Sequence, residues 1–222
     1  MLVNTPVQPV RILIADDRPI SRAGLRWLIE TQPGLLIVGE TIGGAMDLIP
    51  PIGVYASMLR EQGSPLHYPG GAARVSQAVD VDLLARAIAW AGEAAAARNQ
   101  AFNVTTGDVF TWENVWPAIA DALGMKPGEA RPLSLVQESP KWIAPWDELR
   151  RRHNLISPGL EAFVGLSFQY ADYSMRYGQT QSGPPSIVST VKINQAGFTE
   201  MMDTEVMFRK WFALAREQRL LP

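Results

Sequence analysis

The chain carries few of the side chains that usually do chemistry, and its clearest candidates are two adjacent carboxylates. Asp16 and Asp17 directly follow a short apolar run, VRILIA. The 222 residues contain no cysteine, which excludes thiolate metal sites, cysteine nucleophiles and disulfides. The two histidines, His67 and His153, stand far apart in the sequence, and two distant histidines do not make a metal site. Chemistry based on histidine or cysteine ligands is therefore not expected.

The elements around the acidic pair follow from the spacing of apolar residues. The run 10–15 is rich in branched residues and predicts a buried strand. Pro19 suits a first helical turn, and apolar residues then recur at three- and four-residue spacing until Pro33 and Gly34. A second branched run, 35–38, predicts another strand. Together they predict a strand, helix, strand unit of the kind that builds parallel sheets.

The rest of the chain predicts mostly helices. Asp80 or Asp82 is expected to cap a helix, and Asp108 or Thr111 another. Pro117 interrupts the clearest amphipathic pattern and predicts either a kink or a helix start near Asn114. The predicted helices are 46–62, about 80–97, 112–123 and one from about residue 204, and the predicted strands are 101–105 and 187–193. Prolines between 126 and 185 predict short helices and loops.

Charge and hydropathy restrict the classes of partner. Twenty basic and 22 acidic residues give a formal net charge of -2, and no basic run is long enough to follow a phosphate backbone, so no nucleic-acid partner is expected. The first residues lack the pattern of a signal peptide, and no apolar run approaches a membrane span, so no membrane partner is expected. With the absence of cysteine, this predicts a soluble, cytoplasmic protein.

Residues 11–40, RILIADDRPISRAGLRWLIETQPGLLIVGE, resemble the start of a response-regulator receiver domain. The resemblance implies that Asp16 and Asp17 help to bind Mg²⁺, and oxygen ligands at a strand end suit such a hard cation. The sequence after Glu40 lacks the contexts of the acceptor aspartate, hydroxyl residue and lysine of that family. Two hypotheses stay open for the pair, namely a signalling module that binds Mg²⁺ or a partner, and a structural acidic strand end.

A different resemblance begins at about Thr41. Four strings, at 46–71, 80–91, 97–125 and 189–222, resemble the atypical short-chain dehydrogenases/reductases of the progesterone 5-beta-reductase and iridoid synthase type, which are NAD-dependent epimerase/dehydratase-like. The resemblance implies NAD(P)-dependent reduction of a carbonyl or enone. It also implies an α/β fold, with a truncated Rossmann-like parallel sheet and a mostly helical carboxy-terminal lid. Residues 1–40 would form the receiver-like unit and residues 41–222 the reductase-like region, packed as one domain.

The reductase resemblance also implies site residues. Thr41, Ile42, Gly43 and Gly44 match a segment that lies against the nicotinamide of NADP or NAD, and Met46 and Tyr55 match the helix beside the substrate pocket of a small molecule. The alternative for these residues is a tight turn followed by a packed helix.

The residues expected to do the chemistry of such a reductase are not found in this sequence. No glycine-rich turn follows the first strand, and adjacent carboxylates there would repel a pyrophosphate. None of the five tyrosines is followed four residues later by a lysine, so no catalytic residue is predicted. We therefore expect an incomplete reductase that is weakly active or inactive alone, with an inactive fusion as the alternative. The exposed edge of an incomplete sheet favours homo-oligomers.

Overall fold

A computed structural model describes residues 10–15, 26, 29–33, 35–41 and 47–222. Strand β1 is Val10–Ala15 and strand β2 is Leu35–Thr41, and the two pair in parallel. The register runs from Val10 opposite Leu35 to Ala15 opposite Thr41, with one shift between Ile12 and Leu13. The parallel pairing of these two strands agrees with the sequence pattern, although β2 extends further than the predicted 35–38.

The predicted α/β fold, a truncated Rossmann-like parallel sheet, is wrong for this chain. In the part that the structure describes, β1 and β2 form a two-stranded ladder, and no further strand joins them. Between residues 47 and 222 the extended segments meet only at isolated bridges, such as those of Ser76 with Phe110 and with Ser186. The described chain is predominantly helical, because the predicted additional strands at 101–105 and 187–193 do not form.

The first of those two segments is held by side chains instead of by a neighbouring strand. Asn103 Nδ2 donates to the carbonyl oxygen of Ser189 at 3.1 Å, and Lys192 Nζ donates to the carbonyl oxygen of Ala101 at 3.0 Å. Phe102 packs edge-on against Trp90, with ring centroids 5.6 Å apart. Carbonyl oxygens that accept from side chains are not bonded to a neighbouring strand, so no β-ladder forms here. The branched residues of AFNVT were therefore a poor indication of a strand.

The second segment becomes a short helix. The hydroxyl oxygen of Ser189 accepts from the backbone N–H of Val191 at 3.3 Å, which favours a turn at this point. The helix ends before Gly197, whose φ of +112° lies in the left-handed region that favours glycine. A local side-chain acceptor and a glycine stop therefore outweigh the strand propensity of Ile187 and Val188.

The described helices account for about half of the chain beyond residue 47. Single turns of 3-10 helix lie at Ala95–Ala97 and Ser139–Trp142. The α-helices are α1 (Ile49–Glu61), α2 (Val81–Glu93), α3 (Trp112–Ala122), α4 (Leu135–Glu138), α5 (Ile143–Arg152), α6 (Leu160–Val164), α7 (Ser167–Ser174), α8 (Val191–Gln195) and α9 (Thr204–Glu217). Helices α4 to α7 are the short helices that the prolines of 126–185 predict.

Side-chain caps explain where three of these helices begin. Asp80 accepts from the backbone N–H of Leu83 at 2.9 Å at the start of α2, which confirms it over Asp82 as the cap. Thr111 caps α3, and Asp203 caps α9. Asp108, the alternative cap for α3, accepts instead from the backbone N–H of Thr204 at 3.1 Å and thus adds a second carboxylate to the start of α9.

Helix α3 contains a proline in its interior. Because the helix begins at Trp112, Pro117 stands in its second turn, and the predicted start near Asn114 is wrong. The missing N–H of Pro117 leaves the carbonyl four residues earlier without its helical donor. Burial of Trp112, Trp116 and Ile119 stabilises the helix despite that loss.

The chain divides into two compact units. One unit contains the described residues up to 41 together with Val79–Gly107 and Val188–Met201. The other contains residues 47–78, Asp108–Ile187 and Met202–Pro222. In the second unit, α1 packs against α5, α6, α7 and α9, and α9 also packs against α3. Its core is rich in aromatic side chains, including Tyr55, Tyr68, Trp112, Trp116, Trp142, Trp146, Phe168, Phe208 and Phe212.

No helix in the described ranges is long and apolar enough to cross a membrane.

The buried ring of Phe212 tests the core of the second unit. Phe212 in α9 is fully buried, so Phe212→Ala should lower the free energy of unfolding by about 3–5 kcal/mol, through lost burial and the cavity left behind. Val206 lies on the same helix and is 56% exposed, so Val206→Ala should change the free energy of unfolding by less than about 0.5 kcal/mol. Urea unfolding followed by tryptophan fluorescence measures both, and equal losses would contradict this account of the core.

Candidate functional site

The predicted cofactor segment begins at the carboxyl end of the parallel strand pair. Thr41 is the last residue of β2 and pairs with Ala15, the last residue of β1. Ligands of open parallel sheets bind outside the carboxyl ends of the strands, so the backbone of Thr41 stands at a suitable edge. Ile42, Gly43 and Gly44 lie outside the described residues, as does Met46. The cofactor-binding role of this segment stays a prediction.

The acidic pair predicted to bind Mg²⁺ also lies outside the described residues. Neither Asp16 nor Asp17 is described. Within the ranges that are described, no group of three or more histidine, cysteine or acidic side chains is placed to hold a metal ion. The Mg²⁺ site therefore stays a prediction from the sequence.

Tyr55, the second residue predicted to border a substrate pocket, lies in the core of its unit. Its side chain is 2% exposed, and its ring centroid is 6.1 Å from that of Trp142. The phenolic O–H donates to the carbonyl oxygen of His67 at 3.1 Å. Burial raises the pKa of Tyr55 to about 12, although the charge of Arg131 acts in the opposite direction. Tyr55 is therefore a neutral hydrogen-bond donor, and its described partner is the backbone.

The backbone segment beside Tyr55 is fixed by several side-chain donors. Trp116 Nε1 donates to the carbonyl oxygen of Leu66 at 3.0 Å, and the Tyr68 hydroxyl donates to the carbonyl oxygen of Met175 at 3.0 Å. Nδ1 of His67 is 2.8 Å from the carbonyl oxygen of Glu129, and because a carbonyl only accepts, Nδ1 carries the proton. These contacts give the buried polar groups of 66–68 partners and hold the segment rigidly.

One concave site formed by described residues is a cleft in the first unit. It lies between the loop 104–107, helix α8 and the segment 198–201, and the room that it encloses is about 10 Å³, whereas its volume with the part open to solvent is about 230 Å³. The enclosed room is about that of one water molecule, so this shallow cleft can receive one small group at the end of a ligand. Its lining residues are Val104, Thr105, Gly107, Thr190, Ile193, Asn194, Phe198, Glu200 and Met201.

Glycines shape two walls of this cleft. Gly107 has a φ of +82°, and a Cβ added there would come within 3.0 Å of the Met201 side chain. Gly197 ends α8 and turns the chain into the segment that carries Phe198. Phe198 in turn packs against Trp90, with ring centroids 5.7 Å apart. The cleft thus depends on two backbone conformations that favour glycine.

The lining of the cleft is apolar with a few polar groups. Val104, Ile193, Phe198 and Met201 supply hydrocarbon surface, and the hydroxyls and amide of Thr105, Thr190 and Asn194 can bond a ligand oxygen. Glu200 forms an ion pair with Arg86, both about half exposed, so its negative charge is balanced. The arrangement can receive one oxygen-bearing group and place it beside apolar surface.

This cleft has no counterpart among the predictions from the sequence pattern. Residues 101–105 and 187–193 were predicted as strands, which would have left no cleft between them. The signal that could have found it was the pair of glycines, because Gly107 itself lines the cleft and Gly197 directly precedes the lining residue Phe198.

The raised pKa of Tyr55 predicts a dependence of stability on alkaline pH. Below pH 10 both the folded and unfolded chains keep the phenolic proton; between pH 10 and about 12 the unfolded chain releases it first. Stability should therefore fall as pH rises through this range, by up to about 1.4 kcal/mol per pH unit from this group.

The variant Tyr55→Phe should lose about 1 kcal/mol at pH 8, because the hydrogen bond to His67 is absent, yet fall less steeply above pH 10. Urea unfolding from pH 8 to pH 11 measures both effects, with pH 8 as the internal reference. If the stability of Tyr55→Phe fell as steeply above pH 10 as that of the wild type, the alkaline loss of stability would not come from Tyr55.

Comparison with characterised proteins finds relatives named (S)-8-oxocitronellyl enol synthase. The chain is 30% identical over 214 residues to (S)-8-oxocitronellyl enol synthase of Antirrhinum majus, covering 93% of this chain and 52% of that protein. A Camptotheca acuminata enzyme of the same name is 30% identical over 223 residues, covering 94% and 54%, and one of Catharanthus roseus is 26% identical over 206 residues, covering 89% and 50%. No protein-family model matches the chain.

These relatives confirm the predicted similarity to iridoid synthase-type reductases and show no relation to receiver domains. The chain spans about half the length of the curated relatives it matches. Nearly all of the chain is thus similar to about half of an (S)-8-oxocitronellyl enol synthase, and the chain is short-chain dehydrogenase/reductase-like.

Proposed function

We propose that the chain provides the substrate-receiving part of an NAD(P)-dependent reductase of open-chain conjugated aldehydes or enones. The observation that carries the proposal is the 30% identity with an (S)-8-oxocitronellyl enol synthase over 93% of the chain. The name of that relative gives its product as an enol. A conjugated aldehyde becomes an enol when a hydride adds to its β carbon and its oxygen gains a proton, so the reaction class is a conjugate reduction.

The chemistry of the cleft in the first unit supports such a substrate. A conjugated open-chain aldehyde is mostly hydrocarbon with an oxygen at one end, which requires an apolar wall and a nearby donor. Phe198 and Met201 supply apolar surface, and the amide of Asn194 and hydroxyl of Thr190 supply donors. We propose that the oxygen-bearing end of the substrate lies in this cleft, with Asn194 as the principal orienting group.

The nicotinamide cofactor supplies the hydride when it is bound, and its proposed position is beside Thr41, Ile42, Gly43 and Gly44. Ala15 and Thr41 are at the carboxyl ends of the paired strands, where ligands of open parallel sheets usually bind, and this position supports the proposed place of the nicotinamide. The sequence Asp16–Asp17 after β1 does not fit a pyrophosphate, because two carboxylates repel it. We therefore propose weak cofactor binding by this chain alone, and the Mg²⁺ site at the acidic pair remains a separate hypothesis.

Substrate binding is tested without turnover. Geranial, the conjugated aldehyde of the citronellyl skeleton, should quench tryptophan fluorescence on titration, since Trp90 packs against the lining residue Phe198. The variant Asn194→Leu removes one neutral hydrogen bond and should weaken binding roughly 5-fold. Asn114 is exposed on α3, and Asn114→Leu is a matched control that should bind like the wild type. Equal affinities for wild type and Asn194→Leu would contradict the assignment of the cleft.

Cofactor binding is tested separately by thermal unfolding. NADPH or NADH at millimolar concentration should raise the melting temperature if the folded chain binds either one, because a ligand of the native state stabilises it. The consumption of NADPH in the presence of geranial, followed by absorbance, then measures turnover. An unchanged melting temperature at millimolar cofactor would contradict a reductase role for the chain alone, and geranial binding would still be measured independently.

A further inference from the structure

Met201, in the first unit, is largely open to solvent. It is 64% exposed, whereas Met58, Met175 and Met207 are 4%, 1% and 6% exposed. A methionine sulfur is oxidised to the sulfoxide only where an oxidant can reach it, and the sulfoxide is polar where the thioether was apolar. Met201 is therefore accessible to a small oxidant in the folded protein, and the three buried methionines are protected.

The Met201 side chain lies at the cleft of the first unit, directly against Gly107. Both residues line the cleft. A Cβ added to Gly107 would lie 3.0 Å from Cγ of Met201 and 3.4 Å from its Sδ. Because Gly107 has no side chain, the Met201 sulfur can pack on the backbone that forms one wall of the cleft. Glu200, the residue before Met201, forms an ion pair with Arg86, and this contact links the segment to α2.

The cleft beside this sulfur has room for one oxygen atom and side-chain donors to bond it. Its enclosed room is about 10 Å³, which is about that of one water molecule. Thr190 directly precedes α8, and its hydroxyl does not cap that helix. The hydroxyl oxygen of Thr105 accepts from the backbone N–H of Gly107 at 3.1 Å and can still donate its own proton. With the amide of Asn194, these hydroxyls suit an acceptor oxygen in the cleft.

We propose that Met201 is a site of reversible oxidation by hydrogen peroxide, and that the oxygen added to its sulfur occupies the enclosed room of the cleft. A lone pair of Sδ attacks one oxygen of the peroxide, and the O–O bond breaks as the S–O bond forms. The hydroxide that leaves combines with the proton released from the oxygen on sulfur and becomes water. The sulfur is oxidised by one electron pair, and the peroxide is reduced by the same pair. A thioether, which is a weak acceptor, thus becomes a polar sulfoxide.

The sulfoxide oxygen has an advantage over the oxygen of a free ligand. It is attached to a sulfur that already packs on the wall of the cleft, so its hydrogen bonds to Thr190 and Asn194 form without the loss of freedom that association costs. The unbranched methionine side chain can rotate to bring that oxygen to the donors. Because the enclosed room holds one such atom, oxidation of Met201 closes the cleft to a ligand oxygen. Only the consequence for substrate binding rests on the proposed function.

The selectivity of the oxidation can be measured by mass spectrometry. Trypsin should release residues 193–209 as one peptide, which contains Met201, Met202 and Met207. After brief treatment of the folded protein with hydrogen peroxide, fragment ions should show the sulfoxide forming at least about 10-fold faster at Met201 than at Met207, because burial protects Met207. In urea, where both are exposed, the two rates should be similar. Equal rates in the folded protein would overturn the proposal.

The position of the added oxygen can be followed by NMR of the ¹⁵N-labelled protein. The side-chain amide signals of Asn194 should shift on oxidation and return after treatment with methionine sulfoxide reductase. In Met201→Leu these signals should be the same before and after peroxide. Met202→Leu is the matched control and should respond to peroxide like the wild type, because Met202 packs against the core of the second unit. Asn194 signals that do not move in the oxidised wild type would show that the oxygen does not enter the cleft.

Titration with geranial separates this proposal from the proposed function. The reduced wild type should bind geranial, and the oxidised wild type should bind it about 10-fold more weakly, since the aldehyde oxygen loses the hydrogen bonds of the cleft. Failure of the reduced protein to bind would contradict the proposed function, and the Asn194 signals would still decide where the Met201 oxygen lies. Equal affinities of the reduced and oxidised forms would overturn the closing of the cleft.

Discussion

Helix α1 is buried along almost its entire length, and the arrangement of the second unit depends on that burial. Every residue from Pro50 to Leu59 is buried, so the helix has no face left for solvent. Four other helices, α5, α6, α7 and α9, pack around it. The close approach is visible at Gly53, where a Cβ would come within 2.3 Å of the Leu221 side chain. A helix of this kind has no independent stability in water and acquires it only inside the unit.

Burial of α1 also explains the polar contacts beside it. The hydroxyls and indole N–H groups of an aromatic core need acceptors, and the segment 66–68 supplies them through its carbonyl oxygens. The Arg60 guanidinium, near the end of α1, donates to the carbonyl of Leu123 at the end of α3, where a positive charge is favourable. The hydrophobic and polar contacts of this unit therefore support the same packing.

The sequence predicted the long helices and the first two strands well and the two later strands wrongly, for a physical reason. Apolar residues at helical spacing around Ile52, Leu83 and Phe208 specify one buried face by themselves, and the caps Asp80 and Thr111 fix two of the starts. A strand forms only when a neighbouring strand pairs with it, and a short run such as 101–105 does not show which segment that would be. The cleft was missed for the same cause, whereas Tyr55 was placed on the right helix, and the packed-helix alternative agrees with its 2% exposure.

The hydrogen bonds of Asp172 to α4 have a further consequence for how this fold can vary among related chains. Helix α4 has only four residues, and its first N–H groups are bonded by a carboxylate that comes from α7, 38 residues away from Ser134. Ser134 also caps α4 by accepting from the backbone N–H of Gln137, and Asp172 accepts from the backbone N–H groups of Leu135 and Val136. Loss of Asp172 would leave two backbone N–H groups without their acceptor and loss of Ser134 only one, so Asp172 should vary less than Ser134 among related chains.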